Sequence, residues 1–472
     1  MKKTSKFLII YISIFLICAS ISKAQNISAG IYYSVFKCSN GTAMSCGWNL
    51  QGQLANGTNT TQPTPVAVSN LTGIAKISAG GTHSLFLKSN GTVWGSGYNN
   101  TQQLGDGTTA NKNIPTQAIG LSSITEISAG QYHSLFVKSD GTTWACGENN
   151  NGQLGIGSTT NSYTTAQVTS LTGIIAVAGG YSHSLFLKND GTVWACGSNV
   201  YGELGIGGTS NANKTTPTQV VGLTNVIAIS AGKSNFCHSL FLKGDGTVWA
   251  CGYNANGQLG DGTTTYRFSP IQVLNLTNVI DIKAGTSHSL FLKSDATVWG
   301  SGENQYAQLG TGAISADILS PVLSSQFLNI KEIAAGNGFS LFLKNNGTVS
   351  ACGKNTNGNL GDGTTTNATT PVNVSSLCSI SIGIKENSNE VSISVFPNPS
   401  TGIFNIEFTE YNYIQNHKIT IVSALGEVVF SSQTTQQVET FDLNYFVNKG
   451  IYFVQITNYE NKTVGIKKII IQ

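Results

Sequence analysis

Charge is scarce in this chain. Of 472 residues only 10% are Asp, Glu, Lys or Arg, against about a quarter in an ordinary globular protein. The net charge is +3, and no long basic run precedes the C-terminus. Nucleic-acid binding needs a concentrated cationic surface, so no nucleic-acid partner is expected. Helical periodicity is missing as well: no segment between Gln25 and Leu377 sustains apolar residues at three-and-four spacing. The chain also lacks Gly-x-Ser-x-Gly, His-Glu-x-x-His and any phosphate loop. Its N-terminal apolar run, 7–17, falls short of the roughly 20 residues of a membrane span, so the chain is not expected to cross a membrane.

That run has the shape of an export signal. Lys2, Lys3 and Lys6 precede it, and Ser22-Lys23-Ala24 supplies a small-x-small cleavage site. Residues 1–24 therefore read as a signal peptide, and the mature chain is expected to start at Gln25. The bulky Ile17 before Cys18 argues against a lipoprotein signal.

What the chain has instead is glycine (54 of them), with Asn, Thr and Ser, and a repeat. Seven copies of Ala-Gly (Gly-Gly once), usually leading into His-Ser-Leu-Phe-Leu-Lys, are anchored at Gly30, Gly80, Gly130, Gly180, Gly232, Gly285 and Gly336. The intervals are 50, 50, 50, 52, 53 and 51 residues. Such a unit is too short to bury its own core, so neighbours must stack.

One unit reads as four strands. Ile74 to Ser78 alternates and ends on Ala79-Gly80, and His83 to Lys88 is a second strand. Asn90-Gly91 makes a hairpin turn and Thr92-Val93-Trp94 a third strand. Beyond a polar loop carrying Gln103-Leu104-Gly105-Asp106-Gly107-Thr108, Pro115 to Ile119 is the fourth. Four short antiparallel strands make one propeller blade. An open solenoid would need capped ends, and no cap sequence is present. One turn lacks its glycine, at Asp295-Ala296. A left-handed alanine costs on the order of 1 kcal/mol, so that turn is expected to change type. The first unit starts at Asn26 without a preceding Pro-x-x-Val strand, and the last ends on Pro371-Val372-Asn373-Val374 without a following Ala-Gly strand. The two pieces then sum to one blade, and pairing the first strand with the last closes the circle.

The stretch Ile77-Ser78-Ala79-Gly80-Gly81-Thr82-His83-Ser84-Leu85-Phe86-Leu87, with its other copies, resembles the regulator-of-chromosome-condensation repeat. So does Trp-x-Cys/Ser-Gly-x-Asn followed by Gly-Gln-Leu-Gly-x-Gly-Thr. The resemblance covers about residues 26–377 and implies a seven-bladed propeller. The expected fold is all-β: a seven-bladed β-propeller over 25–380 closed by its N- and C-terminal strands, a linker over 381–390, and a small Ig-like β-sandwich over 391–472.

Candidate side chains recur in register. His83, His133, His183, His238 and His288 share one slot, which Tyr33 and Phe339 fill in the outer units. Phe cannot replace a metal ligand or a base, so these imidazoles are expected to be structural, bonding to backbone between strands. Trp94, Trp144, Trp194, Trp249 and Trp299 are expected to pack between blades. Lys37, Lys88, Lys138, Lys188, Lys243, Lys293 and Lys344 are expected to flank turns. Asp106, Asp261 and Asp362 lie in calcium-like Gly-Asp-Gly-Thr loops, but Asn56, Ile156, Ile206 and Thr311 hold that slot elsewhere, and isoleucine cannot ligate calcium. No metal or other cofactor is expected. Cys46, Cys146, Cys196, Cys251 and Cys352 share a slot with Ser96 and Ser301 and read as packing residues. Cys38, Cys237 and Cys378 fall outside it, and the sequence leaves open whether any two pair.

After Leu377 the texture changes. Pro397-Asn398-Pro399 with Thr401-Gly402, Leu425-Gly426-Glu427, Gly450-Ile451-Tyr452 and Lys467-Lys468-Ile469-Ile470-Ile471 resemble the C-terminal sorting domain of type IX (Por) secretion. That resemblance implies the type IX machinery as a partner, and passage through the periplasm to the outer-membrane surface or the medium.

The expected function is a secreted or cell-surface scaffold that binds a protein through one propeller face. Its anchors repeat while loops 210–216, 233–237 and 313–319 vary. The alternatives are a glycan-binding adhesin or a polysaccharide-active enzyme. Guanine-nucleotide exchange, known for a nuclear member of the resembled family, is not expected of an exported chain, and no enzymatic activity is expected.

Overall fold

Each repeat folds as its alternation dictates. In the computed structural model, Ile74–Ala79 pairs antiparallel with His83–Lys88, which pairs with Val93–Gly97, which pairs with Lys112–Gln117. Described are residues 25–208, 211–380, 393–408, 418–423, 428–442, 449–457 and 463–471. The expected signal peptide and linker lie outside them. Among the described residues there are seven such four-stranded sheets, over 27–67, 74–117, 124–167, 174–219, 226–272, 279–323 and 330–373, and no helix. The chain divides into two compact units, residues 1–382 and 383–472.

The core of the propeller lies between blades rather than within them. The strand His133–Lys138 is buried at every position but its last, because a neighbouring blade covers each of its faces. Leu135, Val137 and Leu154 of the third blade pack against Phe186 and Cys196 of the fourth. Burying each such side chain contributes about 1.5–3 kcal/mol, all of it conditional on a neighbour. The polar loop after each third strand then crosses to the next blade. Gly57 donates its N–H to Asn113 at 2.8 Å, and Gly157, Gly207 and Gly262 do likewise to Thr215, Phe268 and Leu319 at 2.9 Å.

The ring closes where the chain's ends meet, but not by a blade shared between them. The first blade is complete, Ile27–Ala29 to Gln62–Ala67, and so is the last, Ile330–Ala335 to Ala368–Asn373. The Ala-Gly strand opens every blade and the Pro-x-x-Val strand ends it, so neither end is incomplete and the expected sharing of one blade between them does not occur. Closure uses the same contacts as the other blade interfaces, since Gly363 donates to Pro63 O at 3.0 Å and Ser34 Oγ to Asn359 O at 2.7 Å. Three devices are added at this seam. The Glu332 carboxylate accepts the N–H of Asn26 (2.8 Å) and of Ile27 (3.0 Å). Beyond the last blade, Ser379 O accepts the N–H of Ser39 at 2.8 Å. A disulfide joins Cys38 to Cys378 across 340 residues of sequence.

The Asp295-Ala296 turn does not change type. Ala296 has φ +64°, beside +78° for Gly246 at the equivalent place, and donates to Lys293 O at 3.0 Å as Gly246 does to Lys243 O at 2.9 Å. The flanking strands and Ile330, which donates to Ala296 O, hold the alanine in the left-handed region. Ala296→Gly is expected to raise the unfolding free energy by about 0.5–1 kcal/mol, net of the freedom glycine adds to the unfolded chain. Denaturant titration checks this, and an unchanged or lower midpoint refutes it.

In the second unit, one antiparallel sheet orders Ile393–Phe396, Ile403–Phe408 and Val438–Asp442. The other orders Val428–Gln433, Lys418–Ser423, Gly450–Thr457 and Thr463–Ile471. Phe404, Ile406 and Phe408 of the first sheet share a core with Ile419, Ile421, Val454, Ile456 and Ile469 of the second, which makes the unit a sandwich.

Candidate interaction face and channel

The anchor glycines are required by the histidines that follow them. A Cβ on Gly180 would lie 2.2 Å from the His183 ring, and one on Gly130 2.4 Å from that of His133. Tyr33 and Phe339 press on Gly30 and Gly336 in the same way. Each imidazole reaches the next blade, yet its partner is a serine hydroxyl and not the expected backbone group. His83 Nε2 meets Ser134 Oγ at 2.9 Å, His133 Ser184 at 2.9 Å, His183 Ser239 at 3.0 Å, His238 Ser289 at 2.8 Å and His288 Ser340 at 3.0 Å. Ser134 and Ser184 spend their own protons on Gln103 O and Gln153 O, both at 2.6 Å, so each imidazole donates from Nε2. All five rings are fully buried, and burial lowers them from about 6.5 to about 3, or about 4 for His183. They are neutral inter-blade struts.

A four-stranded meander places the first-to-second and third-to-fourth connections at one end of every blade and the hairpins at the other. On the hairpin face the repeated lysines lie over the repeated tryptophans: Lys138 Nζ is 4.2 Å from the Trp144 ring centre, and Lys293 is 5.6 Å from that of Trp299. Those indoles are half-buried against the clusters between blades. The calcium-like loops use their carboxylates internally. Asp106 accepts from Asn99 and Thr108 and pairs with Lys112 at 3.4 Å, while Asp261 holds Arg267 at 2.6 Å.

The opposite face is aromatic. Tyr98, Tyr132 and Tyr181 form a chain with centres 5.7 and 6.3 Å apart. Tyr253 is flanked by Phe236, Tyr266 and Tyr201 at 4.7, 4.8 and 5.0 Å. Phe236 and Tyr266 are 47% and 39% exposed. Burial first, then Tyr266 and Tyr201, push the Tyr253 phenol up to about 12. Glu148 and Glu303 on the same face are held above the ordinary carboxylate value by burial. Phe236 belongs to the variable segment 233–237. Residue 210 of the variable loop 210–216 lies outside the described residues.

The inner strands line an axial channel whose cavity measures about 170 Å³. Segment 233–237 also reaches inward, where the Lys233 ammonium donates to Ala79 O across the ring. Inner-strand charges are paired across and within blades, Lys76 with Glu126 and Lys283 with Asp281. In the sandwich unit, Asn398 donates to Lys468 O at 2.8 Å and accepts from Ile470 N–H at 3.0 Å. Gly450 and Tyr452 pair with Ile471 and Ile469. The sorting residues Pro397, Asn398, Pro399 and Gly402 thus gather with Gly450, Tyr452, Lys467 and Lys468 around the final strand.

A family model described as the RCC1-like domain matches residues 21–274, over half the chain. The chain belongs to the RCC1-like family. Models of the RCC1 repeat also match 279–308, 330–359 and 295–343. The secretion system C-terminal sorting domain matches 394–472. The ultraviolet-B receptor UVR8 of Arabidopsis thaliana is 29% identical over 150 residues, 31% of this chain and only 33% of that receptor. The crystal structure of Kap60 bound to yeast RCC1 (Prp20) aligns over 83% of this chain and 92% of its own, at 20% identity and TM-score 0.65. Human WBSCR16 aligns over 73% and 94%, at 21% identity and TM-score 0.61. Likeness at that identity shows the fold.

In this RCC1-like propeller the sequence reading found the glycines and histidines but passed over two partners. The serine after each histidine and the asparagine five residues before each loop leucine (Asn99 with Leu104, bonded at 3.0 Å) recur in register just as the histidines do. That recurrence was the available signal. Lys233 had none, because it occurs in one blade only. Among the described residues no helix is long and apolar enough to cross a membrane. The sorting domain marks the chain for secretion to the cell surface or beyond.

Proposed function

We propose that the propeller is a protein-binding scaffold carried to the cell exterior by its sorting domain, after a signal peptide over 1–24 takes it through the inner membrane. The observation that carries this reading is the cluster of Tyr201, Phe236, Tyr253 and Tyr266, with Phe236 and Tyr266 exposed. Aromatic anchors on a rigid base are the usual centre of a protein interface. They stand on loops that differ from blade to blade, so specificity changes without disturbing the ring. Tyr253 and Tyr266 stack on one another, while Tyr201 meets both edge-on. RCC1-like propellers are mostly regulators or scaffolds, in keeping with a binding role.

Capture from neighbour-cell and host-cell extracts with the mature chain tests this. Phe236→Ala with Tyr266→Ala is expected to weaken retention of a specific protein at least about tenfold, with an unchanged unfolding midpoint. Retention of glycans and of no protein, or protein capture indifferent to the double substitution, overturns it.

A further inference from the structure

We propose that the axial channel of the propeller is a binding site for a small oxyanion of the size of inorganic phosphate or sulfate, with Lys233 as its counter-charge.

The inner strands supply a ring of hydrogen-bond donors. Ser28, Ser78, Ser128 and Ser230 occupy the same position on four blades. Each accepts a backbone N–H from the next inner strand: Ala79 and Gly179 at 2.9 Å, Ala129 at 3.0 Å and Ala284 at 2.9 Å. Ser28 Oγ also accepts from Gln25 Nε2 at 3.3 Å, and accepting such bonds leaves each hydroxyl its own proton to give. Among the described residues none of the four has an acceptor for it. All four line the cavity.

The charge balance leaves one cation over. Glu126, which lines the cavity, is paired with Lys76, and Lys283, which also lines it, is paired with Asp281 at 3.1 Å. Lys233 has no carboxylate within ion-pair distance among the described residues, and its only hydrogen bond there is to Ala79 O, beside Ser78. An ammonium taken from water is costly unless a counter-charge meets it. Burial, then the charge of Lys283, lower Lys233 to about 8, as expected of a cation short of anions. A tetrahedral oxyanion accepts from hydroxyls and an ammonium together. A cavity of about 170 Å³ holds that ion and a few waters, at roughly 30 Å³ each. The cation comes from one lengthened first-to-second connection, 232–237, three residues longer than its counterparts, and the site stands independently of any partner on the aromatic face.

The test is calorimetric titration of the mature full-length chain with inorganic phosphate and, separately, sulfate, with chloride as the control anion. Saturable binding of one oxyanion per chain is expected. Lys233→Met is expected to weaken it at least about tenfold, as loss of a charge-assisted bond does. Lys344→Met, on the hairpin face, should leave it unchanged. No saturable binding of either ion, or equal affinity in folded Lys233→Met, overturns the proposal. If Lys233→Met does not fold, Ser78→Ala with Ser128→Ala replaces it under the same criterion.

Discussion

Acidification from pH 7 to pH 5 is expected to remove about 8 kcal/mol of the propeller's stability. The loss comes from the five buried imidazoles. In the unfolded chain each titrates near 6.5, and in the folded chain near 3 or 4. A base with a depressed folded value contributes stability that is complete above 6.5 and lost as the pH falls below it. By pH 5 each histidine has given up about 2 kcal/mol. Glu332 runs the other way. Burial raises it from 4.5 to about 7, so its contribution is complete below 4.5 and lost as the pH rises through 7. Over the same interval it returns about 2 kcal/mol. Buried carboxylates such as Asp106 and Asp261, held below their ordinary value by hydrogen bonds and a paired cation, lose their share only below about pH 4.

The measurement is simple because all six tryptophans, Trp48 to Trp299, lie in the propeller. Indole fluorescence in denaturant at pH 5, 6 and 7 therefore reports on this unit alone. His133→Phe is expected to fold, since Phe339 already fills that slot in the last blade and its facing Ser34 keeps a partner in Asn359 O. It should remove about a quarter of the acid dependence. A stability that is flat between pH 5 and 7, or an acid slope the substitution does not reduce, refutes the account.

Opening the Cys38–Cys378 disulfide is expected to lower stability by about 2–5 kcal/mol, since a bridge over so long a loop restricts the unfolded chain strongly. It matters because every other blade interface is crossed by the chain itself, and only the seam between the last blade and the first has no backbone running through it. Denaturation under reductant, and of the Cys38→Ser with Cys378→Ser variant without it, should give the same midpoint, lowered relative to the oxidised protein. Alkylation after mild reduction should label two thiols. The other cysteines among the described residues, Cys46, Cys146, Cys196, Cys237, Cys251 and Cys352, are buried, and burial raises their thiols well above the usual range. Equal midpoints in the reduced and oxidised protein would show that the seam holds without the bridge. Such a bridge persists in an oxidising compartment, as the sorting domain implies.

The blade was readable because everything that makes it is local. Alternation, Asn-Gly and Asp-Gly turns and the Ala-Gly anchor act over fewer than about fifty residues and repeat seven times. Register also separated the packing cysteines from Cys38, Cys237 and Cys378. It did not say which of those three pair, because that depends on where two chain ends meet in space. The Asp295-Ala296 turn went the other way. Local preference predicted a different turn, but the strands on both sides imposed the left-handed backbone.

By itself, then, the sequence determined the all-β character, the seven units and the sorting module, since each follows from short-range pattern. Only the tertiary structure decided how the ring is sealed, which serine each histidine meets, that 233–237 both builds the aromatic cluster and sends Lys233 into the channel, and which charges stay paired there. Those contacts join residues 50 to more than 300 positions apart, and Lys233 belongs to one blade alone. No local preference or repeat encodes such a neighbour; it exists only once seven blades stand around one axis.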